Sequence, residues 1–281
     1  GIFINIIPQI LSSSALLVSM FPLSPWSAST IAAFLMVFYV IFGGVWGTSL
    51  IGIMKITLTY VSLLVGGIIA FQGLGGVGGL KAAFPMYPWF SLFGRGVSTD
   101  LAAGFSLIVG VLASQIYFQA VFSAKDIKNA RRGAFISAVM GPIIGLAAIM
   151  VGLFMRAYHP EINAALALPL FVIRYINPWF AGIVLATLLL AAIGTGAGLT
   201  LGVSTMLSRD IYQKLHPEAN DAKVLKVFRL IIIFILGLAL AILIIPGNTE
   251  VILQWSYLSL GLRGATVFFP LIAALFLKGK V

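Results

Sequence analysis

The chain has 281 residues, 61% of them apolar and 9% charged, with a mean hydropathy of +1.13 and a formal net charge of +10. A soluble domain is nearer 45–50% apolar and about 25% charged, so a soluble globular class is excluded. The apolar runs are continuous, which excludes the alternating ~10-residue segments of a membrane β-barrel, and the absence of cysteine excludes disulfides and thiolate metal centres.

The composition defines an all-α polytopic membrane protein. Eight runs reach the roughly 20 residues needed to cross a bilayer, over 2–21, 28–47, 49–72, 101–123, 134–156, 178–208, 227–245 and 250–277. Pro22, Pro25, the glycines of 73–79, Pro160, Pro178 and Pro246-Gly247 punctuate them. No basic leader or small-residue cleavage site opens the chain, which reads as a piece of a longer protein.

The third run carries Lys55, about six residues, or ~9 Å, from its cytoplasmic end, within reach of water by snorkelling. The connection over 73–100 follows. Its GLGGVGG stretch comes after a membrane helix rather than a strand, so it is not a dinucleotide-binding turn. The fourth run contains Ser114, Gln115, Tyr117 and Gln119, an amide-and-aromatic set able to stack on or hydrogen-bond a solute, or to pack between helices. The basic loop 124–133 (AKDIKNARRG) sets topology and offers a surface to anionic lipid. After the fifth run, 160–178 has helical apolar spacing but is too short to cross. It is expected to lie at the outer surface as a partial lid.

The sixth run is rich in small and hydroxylated residues: Gly194, Gly196, Gly198 and Gly202 with Thr195, Thr200, Ser204 and Thr205. Small residues let helices approach closely, and hydroxyls bond across helices or coordinate a hard cation. The eighth run holds Trp255, Tyr257 and Arg263. Arg263 lies about 13 residues from either end, close to 20 Å deep, where snorkelling does not reach water. Gly261 and Gly264 beside it are expected to loosen the helix and free carbonyls. A charge at membrane depth faces a bundle interior and marks a pathway, so Lys55 and Arg263 point to a transporter. A planar guanidinium suits bidentate recognition of a carboxylate, which makes Arg263 the candidate anchor for an anionic solute.

Charge sets the orientation. Three regions, after the fourth, sixth and eighth runs, fall on one side of an alternating eight-span chain and hold 11 of the 17 Lys and Arg residues. The positive-inside rule places that side, and both ends of the chain, in the cytoplasm of a multi-pass cell-membrane protein. The same reasoning assigns the net positive charge to lipid and topology rather than to nucleic acid. All seven acidic residues fall in loops or at span ends, and His159 and His216 sit in loops beside prolines. That leaves no acid/base pair, metal cluster or catalytic residue, so an enzyme is not expected.

Three blocks carry a family resemblance. YVIFGGVWGTSLIGIMK (39–55), SQIYFQAVFSAKDIKNARRGA (114–134) and AAIGTGAGLTLGVSTMLSRDIY (191–212) resemble, in order and spacing, blocks of the sodium:solute symporter family, the sodium-coupled sugar, proline and pantothenate carriers. The resemblance implies a fold of two inverted five-helix repeats with substrate and ion near the bilayer midplane. Residues 1–72 would supply the last three helices of the first repeat, 73–100 an extracellular loop and 101–281 the second repeat. The first two core helices of the family fold would lie outside this chain.

The resemblance places the family's Na+ site on Ala191 through its carbonyl, and on Gly194 and Thr195, two hydroxyl positions in the family. Thr195 keeps its hydroxyl and Gly194 has none. Gly52 stands where the family usually has Asp, Lys55 where it has Gln, and Ala120 where it has Arg. An acid and a hydroxyl are lost and a cation is gained, so Lys55 is a candidate substitute for the ion. Substrate contacts are expected from Arg263, Tyr117, Gln119, Trp255 and Tyr257. The implied function is an ion-coupled symporter of a small organic solute working by alternating access, with Na+ as coupling ion and no cofactor. The alternatives are a proton-coupled or uncoupled carrier with Lys55 in place of the ion, and a non-transporting sensor on the same fold.

Overall fold

The computed structural model describes residues 1–245 and 252–277; inside its helices the side chains of 43–51, 53, 115, 116, 119 and 120 lie outside the description. The predicted features at Gln115, Gln119, Pro246-Gly247, Glu250, Lys278 and Lys280 therefore fall outside the described residues.

The described residues form helices and no strand. They are α1 (Ile6–Met20), α2 (Pro25–Gly73), α3 (Gly76–Ala83), α4 (Val97–Leu112), α5 (Gln115–Phe122), α6 (Ile127–Tyr158), α7 (Ala167–Tyr175), α8 (Pro178–Thr205), α9 (Asp221–Ile244), α10 (Ile252–Arg263) and α11 (Phe269–Phe276). Two π-helical stretches interrupt the regular hydrogen bonding: Met206–Tyr212 continues α8, and Gly264–Phe268 joins α10 to α11.

The helix starts follow local chemistry. Asp126, Asn177 and Asn220 each accept a backbone N–H two or three residues on, from Asn129, Trp179 and Lys223, and Pro178 takes the first position of α8. These side-chain acceptors satisfy amides that the first turn leaves unpaired.

Among the described residues, seven stretches are long and apolar enough to cross a membrane. They match seven of the eight predicted runs. The predicted fourth run is not continuous: α4 stops at Leu112 and α5 starts at Gln115. Ser114 sits in the break. Its hydroxyl donates to the Gly110 carbonyl and its N–H to the Val111 carbonyl, a local bonding pattern that competes with the helical ladder. The turn expected between 47 and 49 falls inside α2, which carries two of the spans, Pro25–Phe42 and Met54–Gly73. The sequence between those spans offers glycines but no proline, and glycine weakens a helix without by itself ending it.

The chain divides into two compact units. The first comprises residues 2–62 and 162–256. Its core is a single apolar cluster around α1, whose Ile6, Ile7 and Ile10 are fully buried. Ala28, Ala32, Met36 and Val40 of α2 face it at four-residue spacing, as do Ile193, Ala197 and Leu199 of α8 and Ile232, Ile235, Leu236 and Ala239 of α9. The segment 160–178, expected as a partial lid, contains α7, which buries Pro169, Phe171 and Val172 and packs on α1 and α8.

The second unit comprises residue 1, residues 63–161 and residues 257–281. Here glycines permit close helix contact. A Cβ on Gly67 would fall 2.7 Å from the Ala147 Cα of α6, and one on Gly264 would fall 2.8 Å from a Val109 methyl of α4. Little water-driven hydrophobic force acts between helices in lipid, so close packing at small residues supplies much of the cohesion.

Candidate functional site: two polar positions inside the apolar helices

In the first unit, the site is built on α8. One face of this helix is core: Ala192, Ile193, Gly196, Ala197, Leu199 and Thr200 are buried. A Cβ on Gly196 would lie 2.6 Å from the Met36 sulfur and 3.1 Å from Gln9 Cβ, so this glycine serves packing. The other face is open. Leu190, Thr195, Gly198 and Thr205 are exposed and Ala191 and Gly194 half-buried, while nothing comes within 4 Å of a Cβ placed on Gly198 or Gly202.

The hydroxyls of α8 bond mainly along their own helix. Thr195 Oγ1 donates to the Ala191 carbonyl at 2.7 Å, Thr200 Oγ1 to the Gly196 carbonyl at 2.8 Å and Thr205 Oγ1 to the Leu201 carbonyl at 2.8 Å. Each donated hydrogen leaves oxygen lone pairs able to receive a cation or a donor. Ser204 differs: its hydroxyl is fully buried and has no hydrogen-bond partner.

Lys55 reaches this open face from α2. Its Nζ lies 3.5 Å from the position a Cβ would take on Gly194. The partly buried side chain therefore turns its ammonium toward α8 and the residues that the family resemblance assigns to the ion. Around Gly52, one turn earlier, a Cβ would meet nothing within 4 Å. The ion pairs among the described residues are Arg95–Asp100 and His159–Glu161, so no described carboxylate pairs with Lys55.

As a place for sodium, α8 offers two hard oxygens, the Ala191 carbonyl and the Thr195 hydroxyl, but Gly194 adds none. The ammonium opposes a second cation. Two unit charges about 4 Å apart repel by about 4 kcal/mol at an effective dielectric near 20. The fit to a metal cation is poor while Lys55 stays where it is.

In the second unit, Arg263 occupies the junction of two irregular helices. It ends α10, immediately before the π-helical turn Gly264–Phe268, and it is 6% exposed. The loosening expected from Gly261 and Gly264 is thus realised as a widened turn, of a kind frequent at functional sites. Arg263 Nη1 donates to Ser114 Oγ at 2.7 Å, at the break between α4 and α5. Its Nη2 donates to Ser259 Oγ at 3.0 Å and its Nε to the Ser259 carbonyl at 3.3 Å. Three of the five guanidinium N–H groups are so engaged, leaving one on each Nη. The backbone N–H groups of Tyr117 and Phe118 point back to the Ser114 carbonyl, so the arginine docks at the positive end of α5.

Of the other predicted contacts, Tyr117 acts electrostatically on Arg263, and the rest are dispersed. Tyr117 is 55% exposed on α5. Trp255 packs against the apolar core of the first unit. Tyr257 lies under Arg95, whose guanidinium carbon is 5.8 Å from the ring centroid. Gln119 lies outside the described side chains. Ser259 was not anticipated from sequence. Its spacing four residues before Arg263, on one helix face, is the signal that could have found it. A cavity of about 620 Å³ in the first unit, lined by residues such as Leu11, Val18, Trp26 and Leu166, is apolar and contains none of the predicted site residues. No group of three or more His, Cys, Asp or Glu able to hold a metal occurs among the described residues.

Apolar helices of spanning length, one predicted span broken at a serine and another widened at a buried arginine, define a multi-pass membrane protein with polar positions inside its helices. The model of the sodium:solute symporter family matches residues 1–280. The chain is 26% identical over 269 residues to the "Uncharacterized symporter YhjB" of Bacillus subtilis (strain 168), covering 91% of this chain and 53% of that protein. It is 26% identical over 230 residues to "Sodium/proline symporter 2" of Staphylococcus saprophyticus, covering 77% of this chain and 44% of that protein. A "Sodium/proline symporter" of Staphylococcus aureus matches at 25% over 229 residues, with 78% and 45% covered. This chain belongs to the sodium:solute symporter family. It spans about half the length of the curated relatives it matches.

Proposed function

We propose that the carrier to which this chain contributes moves a small organic solute across the cell membrane by alternating access, as a secondary transporter with no covalent chemistry. The reading uses the two inverted five-helix repeats that the family implies, with 1–72 in the first repeat, 73–100 an extracellular loop and 101–281 in the second, and with both ends of the chain cytoplasmic. The relatives' names, sodium/proline symporters among them, make sodium the first coupling ion to test and amino acids the first solutes. Were sodium the coupling ion, the Ala191 carbonyl and the Thr195 hydroxyl would receive it; the competing reading is a proton-coupled or uncoupled carrier in which Lys55 takes the ion's place.

The observation that carries the proposal is the Arg263 junction. A buried guanidinium next to the N-terminus of α5, with no carboxylate paired to it among the described residues, concentrates positive potential at a point where two helices depart from regular geometry. That arrangement favours an anionic group, and the two remaining N–H groups suit a carboxylate. Tyr117, Gln119, Trp255 and Tyr257 remain proposed contacts for the rest of the solute.

The test is uptake by the native carrier in proteoliposomes, using a panel of amino acids, monocarboxylates and neutral sugars with and without a sodium gradient. Uptake of a carboxylate-bearing solute is expected. Arg263→Gln is expected to weaken its affinity about 10- to 100-fold, the scale of one charge-assisted hydrogen bond, while the protein keeps its oligomeric profile. Uptake of no solute under any ion condition would overturn the transporter reading, and unchanged affinity in Arg263→Gln would remove the arginine from it.

A further inference from the structure

We infer that the Lys55 ammonium is a built-in cation at the open face of α8, holding the place that a coupling metal ion takes in the family, so that this carrier binds no sodium there and moves its solute without drawing on a sodium gradient. The inference rests on the transporter reading and concerns how that site is occupied.

Three observations converge on it. The ammonium lies 3.5 Å from where a Cβ would begin on Gly194, so it stands in the space a side chain at that position would enter. Glycine leaves this room, and a hydroxyl-bearing residue would set its oxygen against the lysine. The residues nearest in sequence on the same face, Ala191 and Thr195, present a carbonyl and a hydroxyl oxygen whose hydrogen is already donated to that carbonyl. Oxygens of this kind accept an ammonium's three N–H donors as readily as they ligate a hard metal ion.

The third observation is charge. Gly52, one helical turn before Lys55, brings no carboxylate and has open space around it. All seven acidic residues of the chain fall in loops or at span ends. A site with one fixed positive charge and no acid to balance it disfavours a second cation. At a separation of about 4 Å the repulsion corresponds to roughly a thousandfold loss in affinity.

The experiment measures sodium binding directly, without knowing the solute. The native carrier, purified in nanodiscs, is titrated with sodium chloride against choline chloride at constant ionic strength. Radiolabelled sodium binding and the thermal unfolding midpoint are read in parallel, because a ligand that binds only the folded state raises the midpoint. The wild type is expected to show no saturable sodium binding, and no sodium-specific midpoint shift, up to about 100 mM. Lys55→Ala combined with Gly194→Ser is expected to acquire both, with affinity at least about tenfold above any wild-type signal.

Saturable millimolar sodium binding by the wild type would overturn the inference, whatever the variants do. A folded double variant that binds no more sodium than the wild type would overturn it too. If the double variant does not fold, Lys55→Gln in the same titration is expected to gain sodium binding, and its failure to do so counts against the ammonium. Solute uptake separates this inference from the one beneath it. A carrier that moves no solute in sodium or in choline loses the transporter reading, while the wild-type sodium titration still decides the occupancy of the α8 face.

Discussion

At the residue scale, the two most informative positions are those where a charge interrupts an apolar run. Lys55 and Arg263 stand out in the sequence because a charge at membrane depth is costly and is kept only where it has a use. What each side chain touches follows from its surroundings: one meets a glycine on α8, the other a serine of its own helix and a serine at the break between α4 and α5. Ser204 illustrates the reverse case. Its hydroxyl is fully buried without a partner, and such a group costs about 1–3 kcal/mol in desolvation. Ser204→Ala is expected to raise stability by about 1 kcal/mol, with a higher unfolding midpoint in detergent, since alanine removes the orphan and favours the helix. A lower midpoint would show that the hydroxyl finds a partner in the native protein.

At the scale of the element, helix existence was legible and helix continuity was not. Length and hydropathy pick out the spans because a spanning helix must satisfy its backbone internally. The break at 113–114 depends on where Ser114 bonds and no proline announces it, whereas the widened turn at 264–268 is followed at once by Pro270, which has no N–H to continue the helical ladder. The start of α4 is better signposted. Asp100, half-buried in its first turn, accepts from the Arg95 backbone N–H and pairs with the Arg95 guanidinium at 2.7 Å. The Arg95 amide and side chain hold the Asp100 carboxyl below the usual carboxylate range. A group whose pKa is depressed on folding contributes stability above its unfolded pKa and loses it as pH falls through the folded value. The wild type is therefore expected to lose thermal stability below about pH 4 in part through this residue. Asp100→Asn should show a smaller loss between pH 5 and pH 3 in a thermal melt, and an identical pH dependence would remove the pair from the account.

At the scale of the whole molecule, the distribution of Lys and Arg predicts topology independently of how α2 is divided. The basic stretch 124–133 is loop only to Asp126, since α6 begins at Ile127; the connections 123–126 and 216–220 flank two helices long and apolar enough to cross a membrane, α6 and α8, and are expected on one side, with 159–163 on the other. The chain contains no cysteine, so single cysteines at Lys128, Lys223 and Glu161 can be labelled without background. A membrane-impermeant thiol reagent applied outside intact cells is expected to modify the cysteine at 161 and to reach those at 128 and 223 only after permeabilisation. Labelling of 128 and 223 from opposite sides would overturn the arrangement. Taken by itself, the sequence determined the membrane class, seven of the eight predicted spans and the residues that do not belong in lipid, because hydropathy and charge are local properties laid out along the chain. Only the tertiary structure decided that Lys55 faces Gly194, that Ser259 and Ser114 hold Arg263, and that the glycines of α8 divide between packing and an open face. Those facts depend on which helix lies against which, and contact between distant segments leaves no periodicity in one sequence to read.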